Sequence, residues 1–233
     1  MASSPQPNIV YRITKIVARL AFALICRLKV KGREKVPLEG PVIIAANHLS
    51  WLDPPAIGLA LPRPISYIAR ANLFDNPFLG WLLPYLYVIP VERGSGDLAA
   101  VKAAIRALRK GMAFGIFPEG TRSRNGKLQP FKTGTAAIAI RTGAPVLPVA
   151  VIGSDKIWPP GGKIRLGGSL KIVFGNPLDL SHYAGKLDKN NLEKATREIE
   201  AAVASLLPPE YLPEEYLTTS SKLSKKPENA GLA

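Results

Sequence analysis

The longest apolar segment of the chain runs from Ile9 to Leu28 and is interrupted mainly by cations. Projected on a helix at ~100° per residue, Arg12, Lys15, Arg19 and Arg27 fall within a stripe of about 120°. The longest uncharged run within this segment, Leu20 to Cys26, is seven residues, whereas a membrane span needs roughly 18 or more. A secretory signal would place its charges before the apolar run and a cleavage site after it; here the charges continue through and beyond. The pattern predicts an amphipathic helix lying in the headgroup layer with its cations toward lipid phosphate. The competing expectation is a core-packing helix with a solvated basic face. A second apolar stretch, Phe78 to Val91, is uncharged for 14 residues. It too is short for a span, is broken by Pro84 and Pro90, and is expected to extend the lipid-facing surface.

Beyond the first helix, short apolar runs alternate with helical periodicity. Val30 to Lys35 reads as a short strand and Pro41 to Ala46 as a buried one. Asp53-Pro54-Pro55 opens a helix through Leu61, because proline suits a first helical turn. Ile65 to Ala69 is a strand. Leu98, Val101, Ile105 and Leu108 share one face of a helix over Asp97–Lys110, closed by Gly111. Strands are predicted at Ala113–Phe117 and Val146–Ile152, with helices at Thr135–Arg141 and Asn191–Leu207. Ile164 to Phe174, broken by Gly167-Gly168, suggests a hairpin. This alternation implies an α/β fold: a mixed, largely parallel central sheet flanked by helices, with the amphipathic membrane-associated helix at its N-terminus. The expected organisation is that helix over residues 1–29, one domain over 30–208, and a flexible tail over 209–233.

Charge sharpens this picture. Against 31 Lys and Arg stand 17 Asp and Glu, a net +14, which calls for an anionic partner: nucleic acid, a membrane face or a phosphorylated substrate. Half of that excess lies in residues 1–35, with eight cations and one acid, Glu34. The single cysteine, Cys26, excludes an internal disulfide. No metal-ligand cluster and no G-x-S-x-G nucleophile elbow is present. Trp51, Trp81 and Trp158 are scattered, where a single-strand nucleic-acid binder interleaves aromatics with its cations.

The chemical side chains collect after buried strands, where open α/β sheets bind ligands. His48 follows the 41–46 strand, and Asp53 follows it by five residues. A carboxylate folded back onto one ring nitrogen fixes the tautomer and offsets the imidazolium charge, leaving the other nitrogen as a general base. By spacing alone, Asp53 reads equally as a helix N-cap. Glu119, Gly120, Thr121 and Arg122 follow the 113–117 strand, and Arg93 follows Val88–Val91. Arg93, Arg122, Arg124 and Lys132 offer phosphate-binding cations; singly, each is by default a solvated charge. His182 sits in a polar stretch without chemical neighbours and reads as a surface histidine.

These residues resemble the glycerolipid acyltransferase family, which contains the 1-acyl-glycerol-3-phosphate acyltransferases. Four blocks appear in order: Asn47-His48-Leu49-Ser50-Trp51-Leu52-Asp53, Val88-Ile89-Pro90-Val91-Glu92-Arg93, Phe117-Pro118-Glu119-Gly120-Thr121-Arg122, and Val146-Leu147-Pro148-Val149. The resemblance spans roughly residues 30 to 178. It departs from the family at Ile68-Ala69-Arg70-Ala71-Asn72-Leu73, where many members carry a lysine in place of Arg70, and at Glu92, where many carry Asp or Asn.

The resemblance implies that His48 and Asp53 are catalytic. Arg70, Arg93, Glu119, Gly120, Thr121 and Arg122 would bind substrate, with Glu119 bracing the cluster and amides near Gly120 offering oxyanion donors. The implied partners are a lysophosphatidate-like acceptor, acyl-CoA or acyl carrier protein as co-substrate, and a membrane surface. Neither metal nor resident cofactor is implied, and no nucleic acid. The expected place is the cytoplasmic face of a membrane, held peripherally. Glycerol 3-phosphate or another lysophospholipid is the alternative acceptor. A non-catalytic basic module for anionic lipid or nucleic acid is the alternative class.

Overall fold

A computed structural model describes residues 6–92, 96–214 and 216. In chain order the elements are α1 (Ile9–Ile25), β1 (Cys26–Lys31), β2 (Val42–Ala46), α2 (Asp53–Ala60), β3 (Ile65–Arg70), α3 (Pro77–Tyr85), β4 (Val88–Val91), α4 (Gly96–Arg109), β5 (Ala113–Ile116), α5 (Gly134–Thr142), β6 (Val146–Ile152), α6 (Ser154–Ile157), β7 (Gly168–Phe174) and α7 (Lys189–Ala204). The seven strands form one sheet in the order β1-β7-β6-β2-β5-β3-β4. From β6 to β4 all neighbours are parallel, and β7 runs antiparallel to β6. The carboxyl ends of β6, β2, β5, β3 and β4 therefore share one edge. We call it the carboxyl edge and its opposite the amino edge.

The central strands are continuous apolar runs because both faces are covered. Alternate residues of β2 point to opposite faces. Ile43 and Ala45 join Phe114, Val146 and Ala150 beneath α4, α5 and α7. Val42, Ile44 and Ala46 join Leu147, Val149, Leu170 and Ile172 on the face carrying α1 and α2. Burying each Ile or Leu contributes on the order of 2 kcal/mol, so β2 anchors the loop that follows it.

Helix α1 crosses the second face from edge to edge. At its start Asn8 accepts from the Tyr11 amide and donates from Nδ2 to the Tyr85 carbonyl, 2.9 Å, at the amino edge. At its end Cys26 pairs in register with Gly168, at the carboxyl edge. Tyr11 and Phe22 are buried, whereas Ile9, Ile13, Ile16, Val17, Leu20 and Leu24 are exposed, Leu24 by 81%. The outward face is thus apolar rather than basic. Lys15 bends inward and donates to the Leu61 carbonyl, 2.7 Å. Arg27, placed by sequence in the same helical stripe, belongs instead to β1, as does Cys26.

Other boundaries move as well. The sheet begins at Cys26, four residues ahead of the domain start read from sequence, and the Val30–Lys35 strand is the end of β1 followed by a 3-10 turn at Arg33–Lys35. The expected hairpin is absent. Gly167 donates to the Ile25 carbonyl and β7 starts at Gly168, pairing with β1 and β6 rather than with residues 164–166. Packing also continues past Pro208: Tyr211 is buried, its hydroxyl accepts from the Gly153 amide and donates to Asp155, and its carbonyl accepts from Leu128.

Candidate functional site

The loop after β2 is fixed before it presents its histidine. The buried amide of Asn47 exchanges two hydrogen bonds with Val151 of β6, 2.8 and 2.9 Å. This continues the sheet for one more step with a side chain. The His48 backbone is then gripped on both sides by the segment after β5. Its N–H donates to Glu119 Oε1, 2.8 Å, and its carbonyl accepts from the Ser123 amide, 2.8 Å. The two sequence blocks are thereby tied together at one residue.

The ring is fixed as firmly. His48 Nδ1 lies 2.8 Å from Asp53 Oδ2. The same oxygen accepts from the Leu49 and Ser50 amides, 2.6 and 2.7 Å. Asp53 is the first residue of α2 and is fully buried. It is both a histidine partner and the group that closes the turn into the helix, at the end of the helix dipole that favours negative charge. An Nδ1–H donated to a carboxylate leaves Nε2 as the accepting nitrogen. Phe117 stacks on the imidazole at a centroid distance of 4.0 Å, and Tyr67 stacks on Phe117 at 6.2 Å. A Cβ on Gly115 would fall 2.0 Å from Tyr67 Cε1, so this aromatic column needs glycine at its foot.

Glu119 is 4% exposed. Burial is the main cause that pushes its carboxyl up to about 8, opposed by amide donors from His48 and Gln129. It is therefore chiefly protonated at neutral pH and acts as a brace. Gly120 turns with φ +71°, its amide donating to the Phe117 carbonyl, and Lys132 Nζ lies directly over it. That bond engages one of the amides expected to serve an oxyanion.

Arg122 lies over the ring of Trp51, 4.0 Å from its centroid, with Nη1 buried and without a protein partner. With Arg124, Pro160 and Gly161 it lines a pocket of about 400 Å³. Thr121 is exposed in the same turn. Arg70 ends β3, exposed at the same edge. Two strand spacings separate β3 from β2, which puts it about 10 Å along that edge. Arg93 lies outside the described residues.

Sequence thus locates His48, Asp53, Glu119, Gly120, Thr121 and Arg122 in one cluster. It misses Trp51, Tyr67, Gly115 and the Phe117 stack, whose partners are distant in sequence. His182 is remote in role: its Nε2 faces Glu198 at 3.6 Å on an exposed surface.

A histidine paired with a buried carboxylate at a strand edge, with Arg122 in the adjoining turn, is an arrangement suited to general-base chemistry on an anionic substrate. The model of the Acyltransferase family matches residues 27–152, more than half of the chain. The chain belongs to that family.

It is 30% identical over 197 residues to the 1-acyl-sn-glycerol-3-phosphate acyltransferase of Bacillus subtilis, covering 84% of this chain and 96% of that protein. It is 31% identical over 180 residues to the chloroplastic 1-acyl-sn-glycerol-3-phosphate acyltransferase BAT2 of Brassica napus, covering 76% of this chain. The chain spans about half the length of that plant relative, 51%. Its fold is similar to the crystal structure of the 1-acyl-sn-glycerophosphate (LPA) acyltransferase PlsC from Thermotoga maritima, with a TM-score of 0.70 and 31% identity over 84% of this chain and 78% of that one.

Proposed function

We propose that this chain moves a fatty acyl group from a thioester donor, acyl-CoA or acyl carrier protein, to the free hydroxyl of 1-acyl-glycerol 3-phosphate, giving phosphatidic acid. The observation that carries this reading is the His48–Asp53 pair, 2.8 Å apart, at the carboxyl edge beside Arg122. The names of the similar proteins supply the acceptor.

In this mechanism His48 Nε2 takes the proton of the acceptor hydroxyl. The oxygen attacks the thioester carbonyl, and the C–S bond breaks as the tetrahedral intermediate collapses. The departing thiolate takes the proton back from His48. Asp53 holds the tautomer and offsets the imidazolium charge. Arg122, with Arg70 farther along the edge, and with Arg93 as a third cation by its motif, holds the acceptor phosphate, so the hydroxyl arrives pre-positioned. Thr121 and Gly120 shape the turn that admits it. The account needs no acyl-enzyme. Cys26 is buried in β1, with β7 and β6 between it and β2.

The site works at a membrane surface, on its cytoplasmic face. No helix among the described residues is long and apolar enough to cross a membrane. The outward face of α1 is an apolar stripe, and α3 adds Phe78 and Trp81, exposed by 64% and 54%. Asn8 joins the start of α1 to the end of α3, so the two apolar surfaces adjoin. Such a face lies in the acyl boundary of a bilayer.

The test is an acceptor panel with radiolabelled acyl-CoA and acyl carrier protein in liposomes. Labelled phosphatidate from lysophosphatidate, in excess over products from glycerol 3-phosphate or other lysophospholipids, is expected. A different preferred acceptor would overturn the acceptor assignment, and no acyl transfer at all would overturn the reaction.

A further inference from the structure

A second group of cations lies at the amino edge, the end of the sheet opposite to His48. Arg12, Lys15 and Arg19 of α1, Arg33 after β1, and Arg63 before β3 line a pocket of about 260 Å³ with Tyr11. No carboxylate lines it. None of the ion pairs among the described residues involves these five cations. Glu39 acts on Arg63 from a distance, and Glu34 follows Arg33 in the chain.

We propose that this pocket is a phosphate site for an anionic membrane lipid, separate from the catalytic edge. Arg63 forms its floor. It is 5% exposed, with Nη1 and Nη2 donating to the carbonyls of Pro37 and Gly111, while its buried Nε has no protein partner. Lys15 spends one N–H on Leu61 and keeps two, since an ammonium has three. Burial, and secondarily the nearby Arg19 and Arg33, pushes the Lys15 ammonium down to about 8.

The occupant follows from the position of the pocket on α1. Ile16 both lines the pocket and belongs to the exposed apolar stripe. A lipid whose chains lie against Ile9, Ile13 and Leu20 would bring its phosphate to headgroup depth beside Arg12, Lys15 and Arg19. The proposal rests on the membrane-facing reading of α1 and not on the acyl-transfer reaction.

The experiment is co-sedimentation of the full chain with vesicles of phosphatidylcholine alone, and of phosphatidylcholine with phosphatidylglycerol. Lys15→Gln/Arg33→Gln is compared with Arg106→Gln/Arg109→Gln, which removes the same charge from α4 on the other face of the sheet. Arg19→Gln/Arg33→Gln, at two exposed positions, stands in if loss of Lys15 weakens the fold. Wild type is expected to prefer the anionic vesicles. The pocket variant should lose about tenfold or more of that preference and the α4 variant less than about twofold. Binding to neutral vesicles should persist in all three.

Equal losses in both variants would show diffuse attraction and overturn the pocket. Tight binding of inorganic phosphate to the vesicle-free protein, with no preference among vesicles, would overturn the lipid as occupant. Absence of wild-type binding to neutral vesicles would count instead against the apolar face of α1.

Discussion

The two edges of the sheet hold their functional side chains differently. At the carboxyl edge His48 is held through its ring and both of its backbone groups. Its neighbours Asp53 and Glu119 are buried. At the amino edge Lys15 and Arg63 donate to backbone carbonyls, Lys15 also lies 6.0 Å from the Tyr11 ring centroid, and Arg12, Arg19 and Arg33 are exposed. A proton transfer needs one nitrogen in one place, so the first edge is pre-organised. Holding a headgroup needs charge at the right depth, which long mobile side chains provide.

The sharpest break of this contrast is Asp53→Asn. An asparagine still fits the turn, but its amide cannot accept from Leu49, Ser50 and His48 and also offset an imidazolium. A fall in kcat of about 10²–10⁴-fold is expected, with smaller change in KM, read by steady-state acyl transfer. Next is Gly115→Ala, which drives a methyl into Tyr67. The expected cost is about 1–3 kcal/mol in denaturant unfolding, together with lower kcat as the Phe117 stack shifts. Pairing it with Tyr67→Val should restore the stability.

A smaller effect belongs to α1. Leu24→Gln should weaken vesicle binding by about tenfold, as one buried leucine is worth, without lowering the melting temperature. The smallest is a change of slope. Glu119 holds its proton up to about 8 in the folded chain, well above an ordinary carboxyl near 4.5. The folded state therefore binds the extra proton between those values, and stability falls as pH rises through that window. Glu119→Gln should flatten this part of the melting-temperature profile. An unchanged slope would remove Glu119 from the account.

Legibility in the sequence followed burial. Strands β2, β5 and β6 are covered on both faces and read as unbroken apolar runs, so the pattern locates their ends within a residue. The junction of α1 with β1 is hidden in the sequence because Ile25-Cys26 carries no polar break and no turn residue. Gly167-Gly168 looked like a hairpin turn, whereas the pair ends a loop and begins β7. His48, Asp53 and the Glu119–Arg122 turn were legible because each lies just past a buried strand. The aromatic column and the amino-edge pocket were not, since Gly115 and Tyr67, or Arg33 and Arg63, meet only through the sheet.

The most direct measurement of the central claim is turnover of His48→Ala with radiolabelled acyl-CoA and lysophosphatidate in liposomes, on protein that melts like wild type. The account predicts a loss of about 10²–10⁴-fold in kcat with vesicle binding intact. Turnover near the wild-type rate would contradict it.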